Sequence, residues 1–281
     1  MGLAASVDSP WEPPVNLGPL VNTTANESVP SLSRDGHWLF IKSTRPGGLG
    51  SVDIWASYRF DKHDDFGWQP SVNLGPGVNS AFSEQGASLL ENDNDGRPLL
   101  YFGSDRPGGM GGSDIYVSEQ MPDGSFGPAI LVPQLSSPNN DQRPVPRFDG
   151  LELFLFSDRP GSLGATDIWV STRESVHDSW STPVNVGAPV NSEFNDAQAY
   201  LASDRRDPLL RIESSRRFWR LRPLRDDPNQ NAGAVDRQKA NVSRSAGITA
   251  AETKRAWAGR RGARGPRSAG RNVAAPAMGR R

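Results

Sequence analysis

Three stretches of this 281-residue chain are near-copies of one another: STRPGGLGSVDIW at 43–55, SDRPGGMGGSDIY at 104–116 and SDRPGSLGATDIW at 157–169. All fit S-x-R-P-G-[GS]-x-G-x-x-D-I-[WY], and the Arg-to-Asp separation is constant: Arg45 to Asp53, Arg106 to Asp114, Arg159 to Asp167. The Arg-to-Arg separations are 61 and then 53 residues, so length varies only outside the motif. Repeats of this period are stacked supersecondary units, each burying its faces only against its neighbours.

Every unit has the same order of parts. A Trp or Phe opens it (Trp11, Trp68, Phe126, Trp180), and a short apolar stretch follows: VNLG at 15–18 and 72–75, ILV at 130–132, VNVG at 184–187. Then come V-N-[ST] or a degenerate form, an acid, and a turn such as SRDG at 33–36 or RFDG at 147–150. Strong strand patterns begin at Trp38, Leu99 and Leu151, and after the R-P-G-G loop the chain reads DIWAS, DIYVS or DIWVS. Short runs rich in aromatic and β-branched residues, bounded by Asp-Gly and Pro-Gly turns, are strands and hairpins. The 53 Gly and Pro residues belong to a turn-rich chain of this kind. Four short strands per unit, repeated, predict an all-β fold: a β-propeller of about three and a half blades out of five to six.

Within the R-P-G-G-x-G loop, Pro fixes φ and Gly permits positive φ. The Arg and Asp then stand at opposite ends of one hairpin loop, and the spacing predicts bidentate ion pairs Arg45–Asp53, Arg106–Asp114 and Arg159–Asp167 that hold it closed. An anion site built from the same Arg and Gly-rich backbone is the functional alternative. Each unit also has an acid just before its first strand: Glu27, Glu84, Asp141 and Asp196. First strands line a propeller's channel, so these four could ring its mouth and bind a cation or a basic segment. The alternative is that each caps its own turn.

With its S-x-D-G turns, L-x-F strands and S-D-R-P-G-G-x-G-G-x-D-I-Y core, the chain over about 11–206 resembles the WD40-like (PD40) repeats of TolB-type propellers. That resemblance implies an exported bacterial protein, periplasmic or extracellular, whose propeller binds rather than catalyses. The N-terminal MGLAASVDSPWEPP has neither the basic nor the apolar region of a signal peptide, and no apolar run approaches the ~20 residues of a membrane span.

Charge divides the chain. Residues 207–281 carry 18 Lys and Arg against 6 Asp and Glu, whereas residues 1–206 carry 13 against 26. A basic tail such as RRGARGPR at 260–267 suggests phosphate binding, but another explanation fits better. The fourth unit begins normally, from Trp180 to Arg206, then loses its pattern. Translated one base out of register, the codons after Arg206 permit T-L-Y-F-x-S-[NS]-R-P-G-G-F-G-G-F-D-L-Y-V-T-T-R, with the Arg-to-Asp gap of the other units. Residues 207–281 are therefore read as a disordered, frameshifted Arg-rich tail rather than a specific nucleic-acid arm.

Chemistry is sparse in the sequence. The absence of Cys excludes disulfides, thiolate metal sites and Cys nucleophiles. His37, His63 and His177 lack ligand spacing. ENDNDG at 91–96 fails the calcium-loop pattern, with Glu91 where Asp should open it and Phe102 where Glu should close it. Ser33–Trp38 approaches the Asp-box of sialidases without the extra residue between Asp and Gly. No catalytic residue, metal or cofactor is assigned. The expected function is a non-catalytic binding or scaffold propeller for a protein or carbohydrate ligand, with self-association through open blade edges. The alternatives are a glycan-acting, sialidase-like enzyme and a non-functional truncated gene product.

Overall fold

The computed structural model describes residues 13–91, 96–201, 210–214 and 217–220. Its strands form four antiparallel sheets in sequence order. The first holds β1 (Glu27–Leu32), β2 (Trp38–Ser43), β3 (Asp53–Tyr58) and β4 (Val72–Asn73). The second holds β5 (Glu84–Leu90), β6 (Leu99–Ser104), β7 (Asp114–Glu119) and β8 (Ile130–Leu131). The third holds β9 (Asp141–Pro146), β10 (Glu152–Ser157), β11 (Asp167–Thr172) and β12 (Val184–Asn185). The fourth holds β13 (Asp196–Leu201), β14 (Leu210–Ser214) and β15 (Arg217–Arg220). Each sheet is a meander whose first strand meets the first strand of the next sheet, β1 to β5 to β9 to β13. This is the blade arrangement of a β-propeller.

Alternation along each second strand builds the core. In β6, Leu100 and Phe102 point to the first sheet and pack with Phe40, Ile54, Val78 and Ala87. Tyr101 points the other way and joins Ile115, Leu135, Leu153, Leu155 and Trp169. Phe154 of β10 carries the pattern on to Ile168, Val190 and Ala199. Because the side-chain period is 2, one strand fills two cores, and no blade completes either alone.

The loop glycines divide two tasks. Gly47, Gly108 and Gly161, directly after Pro, have φ of 93°, 95° and 101°, where a side chain is strained. Three residues on, a Cβ on Gly50, Gly111 or Gly164 would lie 1.9 Å from the Phe82 carbonyl, 2.3 Å from that of Asn139 or 1.9 Å from that of Phe194. The loop is thus pressed against the next blade's entry turn.

β14 and β15 lie beyond Arg206, where the sequence places the end of the repeat. β14 pairs with β13 in the blade register, Ser214 opposite Asp196 as Ser43 is opposite Glu27. The rest of the expected frameshifted, disordered tail lies outside the described residues.

Candidate functional site

The expected Arg–Asp pairs across the hairpin loop do not form. The β2–β3 register places Asp53 opposite Ser43, at the base of the loop. There it accepts the Leu49 amide at 2.5 Å, the Gly50 amide at 3.0 Å and the Asn73 side-chain amide at 2.7 Å. Asp167 does the same with Leu163, Gly164 and Asn185, and Asp114 accepts the Met110 and Gly111 amides.

The arginine instead folds back to the first strand of its own blade, where the acid of the expected ring waits. Arg45 meets Glu27 at 3.1 Å and Arg106 meets Glu84 at 3.1 Å, while Arg159 bonds Asp141. Each guanidinium also donates to a buried carbonyl, of Val21, Val78 or Leu135, and to the Ser two residues earlier. The aromatic of D-I-[WY] covers it, with Trp55, Tyr116 and Trp169 rings 5.0, 4.9 and 5.4 Å from the three guanidiniums. Burial pushes the Glu27 carboxyl up, but hydrogen bonds from Thr23 and Ser43 and the charge of Arg45 outweigh it and hold the group below its ordinary range.

Glu84, Asp141 and Asp196 are fully buried. A ring of acids at an open channel mouth is therefore not what these residues make, since three of them are paired with the arginine of their own blade and Asp196 is fully buried. Asp196 accepts the Ser192 amide and hydroxyl, and its Oδ1 finds no partner among the described residues. The position two residues after Ser214, where the repeat places the arginine, lies outside the described set.

The V-N signatures have the same structural purpose. Asn79 brackets the backbone of Ile54, accepting from its N–H at 2.8 Å and donating to its C=O at 2.9 Å, and Asn191 does so at Ile168. Blade two departs: Ser136 replaces that Asn, and Leu131 stands where Asn73 and Asn185 serve the loop Asp. Asp114 Oδ1 is accordingly left without a partner among the described residues. The unit-opening Trp is covered in turn by a strand-end arginine, Arg59 over Trp68 at 4.5 Å and Arg173 over Trp180 at 4.2 Å.

Once the recurrent residues are assigned to the scaffold, those that break the recurrence stand out. At the turn end of the first strands, Glu91 follows β5 where blades one and three have Ser33 and Arg147. The Asp35 amide of the neighbouring blade approaches Glu91 Oε1 at 3.4 Å. Burial, with the Asp35 charge adding to it, pushes the Glu91 carboxyl above its ordinary range. Asp35 is itself exposed and tied by Ser33 and the His37 amide. Beside this carboxylate pair, Arg34 stacks on Phe148 of the third blade at 5.4 Å, leaving the ring 44% exposed. In the sequence Glu91 stood out only as the misfit opening position of a calcium loop. Its signal was available as an acid at a position where the other units have none.

His37 Nδ1 lies 2.8 Å from the Arg59 carbonyl, a structural contact. No cluster of His, Asp and Glu among the described residues could hold a metal, and none of their helices is long and apolar enough to cross a membrane.

No protein-family model and no curated protein matches the chain. Solved structures do. An α-L-arabinofuranosidase from Lactobacillus brevis is 14% identical, with TM-score 0.46, over 65% of this chain and 63% of its own. An endo-arabinase from Bacteroides thetaiotaomicron is 16% identical, with TM-score 0.45, over 71% and 74%. The Podospora anserina α-L-arabinofuranosidase solved with cellotriose is 12% identical, with TM-score 0.44, over 74% and 70%. The chain thus spans less than two thirds of the first of these proteins. These matches are glycosidases and not TolB-type propellers, which corrects the resemblance to the WD40-like family. They also correct the reading as a non-catalytic binding or scaffold module. At such identities the likeness is one of fold, and chemistry has to come from the residues of this chain.

Proposed function

We propose that this chain acts on glycans, cleaving a glycosidic bond with Glu91 as proton donor and Asp35 as its companion carboxylate. The observation that supports this reading is the environment of Glu91. It is a partly buried carboxyl, raised by desolvation and a neighbouring acid, beside a carboxylate that remains exposed. Glycoside hydrolysis requires two carboxyls, one with a raised pKa protonating the leaving oxygen and the other assisting attack on the sugar carbon. Phe148, half exposed and backed by Arg34, offers a flat apolar face on which a sugar ring can stack.

The test is turnover of a panel of aryl glycosides and oligosaccharides that includes arabinofuranosides and xylosides, with products resolved by NMR. Glu91→Gln is expected to lower kcat by a factor of about 10²–10⁴, the range for losing a positioned acid. Asp35→Asn should also lower it, and the wild-type rate should fall as pH rises past the raised Glu91 pKa. A wild-type chain with no turnover on the panel, or Glu91→Gln with full activity, sinks the proposal.

A further inference from the structure

Along the first strands towards their starts, away from Glu91, the repeat breaks a second time. One register position on the second strands holds Lys42, Gly103, Phe156 and Glu213. The third residue of the first strands is Val29, Gly86, Arg143 and Gln198. Neither position is dictated by the blade, which accepts a small, aromatic, aliphatic or charged residue there. Yet the structure brings the two basic choices together. Lys42 reaches across from the first blade to donate to Gln85 Oε1 of the second at 3.2 Å. Arg143 of the third blade lies 5.3 Å over the Phe156 ring. Its stem passes so close to β5 that a Cβ on Gly86 would lie 2.7 Å from both its Cα and its Cγ.

Backbone conformation sets the direction of Arg143. The first strands carry a register irregularity at this point. Val29, Gly86 and Arg143 there have φ of 54°, 65° and 48°. Gly adopts this without cost, whereas the other two are strained, a kind of strain that clusters at ligand sites. Lys42, Gln85, Arg143 and Phe156 are all partly exposed, while Arg143 Nε and Nη1 are buried.

We infer that Lys42, Gln85 and Arg143 form a binding site for an oxyanion, a carboxylate or sulfate group carried by the glycan, at the centre of blades one to three. That the anion belongs to a glycan rests on the hydrolase reading above; the anion site itself does not. Two cations from different blades converge on neighbouring residues of β5, Lys42 on Gln85 and the Arg143 stem on Gly86, and an anion between them removes their mutual repulsion. Burial and the Arg143 charge already hold the Lys42 ammonium below its ordinary range. Arg143 supplies a permanent charge fixed in place, Lys42 a point charge, and the Gln85 amide fixes the ammonium. Phe156 backs the guanidinium and so limits its rotation.

Calorimetric titration of the full chain at low salt tests this with three probes: glucuronate, glucose and inorganic sulfate. Glucuronate is expected to bind at least about ten-fold more tightly than glucose, because the two differ in a charged hydrogen-bonding group. Lys42→Met and Arg143→Gln should each weaken glucuronate about ten-fold or more, with Arg97→Gln, at the exposed Glu119 pair, as an unaffected control. The other units carry Gly, Phe and Val at these positions, so the variants are expected to fold. Equal binding of glucose and glucuronate, or no loss in Lys42→Met and Arg143→Gln, overturns the site, as does absence of binding by both anions. Sulfate binding as tightly as glucuronate with the same Lys42 dependence supports the anion site but overturns its glycan source. A chain that binds glucuronate but turns over no glycoside loses the hydrolase reading and keeps the anion site.

Discussion

The arginine clasp and the lining around Lys42 are built from the same sheets, yet they obey opposite rules. In the clasp, Glu27–Arg45–Trp55, Glu84–Arg106–Tyr116 and Asp141–Arg159–Trp169 repeat one arrangement. In the lining, Lys42, Gly103 and Phe156 share a register position and no chemistry. A buried charge must be paired wherever it occurs, so each blade needs the whole clasp. A side chain facing the centre satisfies no demand of its own blade, so it is free to differ. Recurrence marks scaffold, and its interruption at a central position marks a candidate for function.

The largest effect expected from that contrast is on the clasp. Arg159→Met leaves Asp141, fully buried, without its cation. It should cost about 3–5 kcal/mol, read as a lower denaturation midpoint in urea. Lys42→Met should stay within about 0.5 kcal/mol of wild type in the same experiment. If the two lose equal stability, the division between scaffold and lining fails.

A smaller effect tests the clasp's own internal variation. Asn73→Leu removes the amide that Asp53 accepts at 2.7 Å and should cost about 1–3 kcal/mol. Leu131→Asn in blade two offers Asp114 Oδ1 the donor it lacks, and should be neutral or stabilising by up to about 1 kcal/mol. Thermal melts of both variants check the opposite signs, and a Leu131→Asn loss matching that of Asn73→Leu would show the amide position to be irrelevant.

The smallest effect concerns pH. The folded pKa of Glu91 is raised by burial first and by Asp35 second. Stability associated with its neutral form is therefore fully present below the unfolded pKa and is lost as pH rises through the folded value. Glu91→Gln removes that loss, so its Tm should exceed wild type at neutral pH, with the difference closing in acid. A Tm difference that does not change with pH would show that Glu91 is not desolvated in the fold.

Much of the architecture was legible because each blade solves a local problem with a local pattern. Asp-Gly turns, alternating strands and the glycines after Pro specify a four-stranded meander without reference to distant residues. The Arg-to-Asp spacing was equally visible, but its meaning was not. Both ends of a hairpin loop look like partners in sequence, while in space the long guanidinium reaches Glu27 across β1 and β2, and the short Asp53 carboxylate finds the loop amides beside it. Glu27, Glu84, Asp141 and Asp196 were likewise noticed as a recurrent set and assigned to an open mouth, because burial depends on what folds over them.

The sequence by itself determined the repeating all-β unit and the residues every unit must have, since backbone turns, strand alternation and charge pairing act over short separations. Only the tertiary structure decided which acid each arginine neutralises, which glycine yields to the next blade, and which unlike residues face one another at the centre. Lys42, Gln85 and Arg143 come from three different blades and span about a hundred positions of chain. Nothing in local pattern brings them together; the packing of blade against blade does.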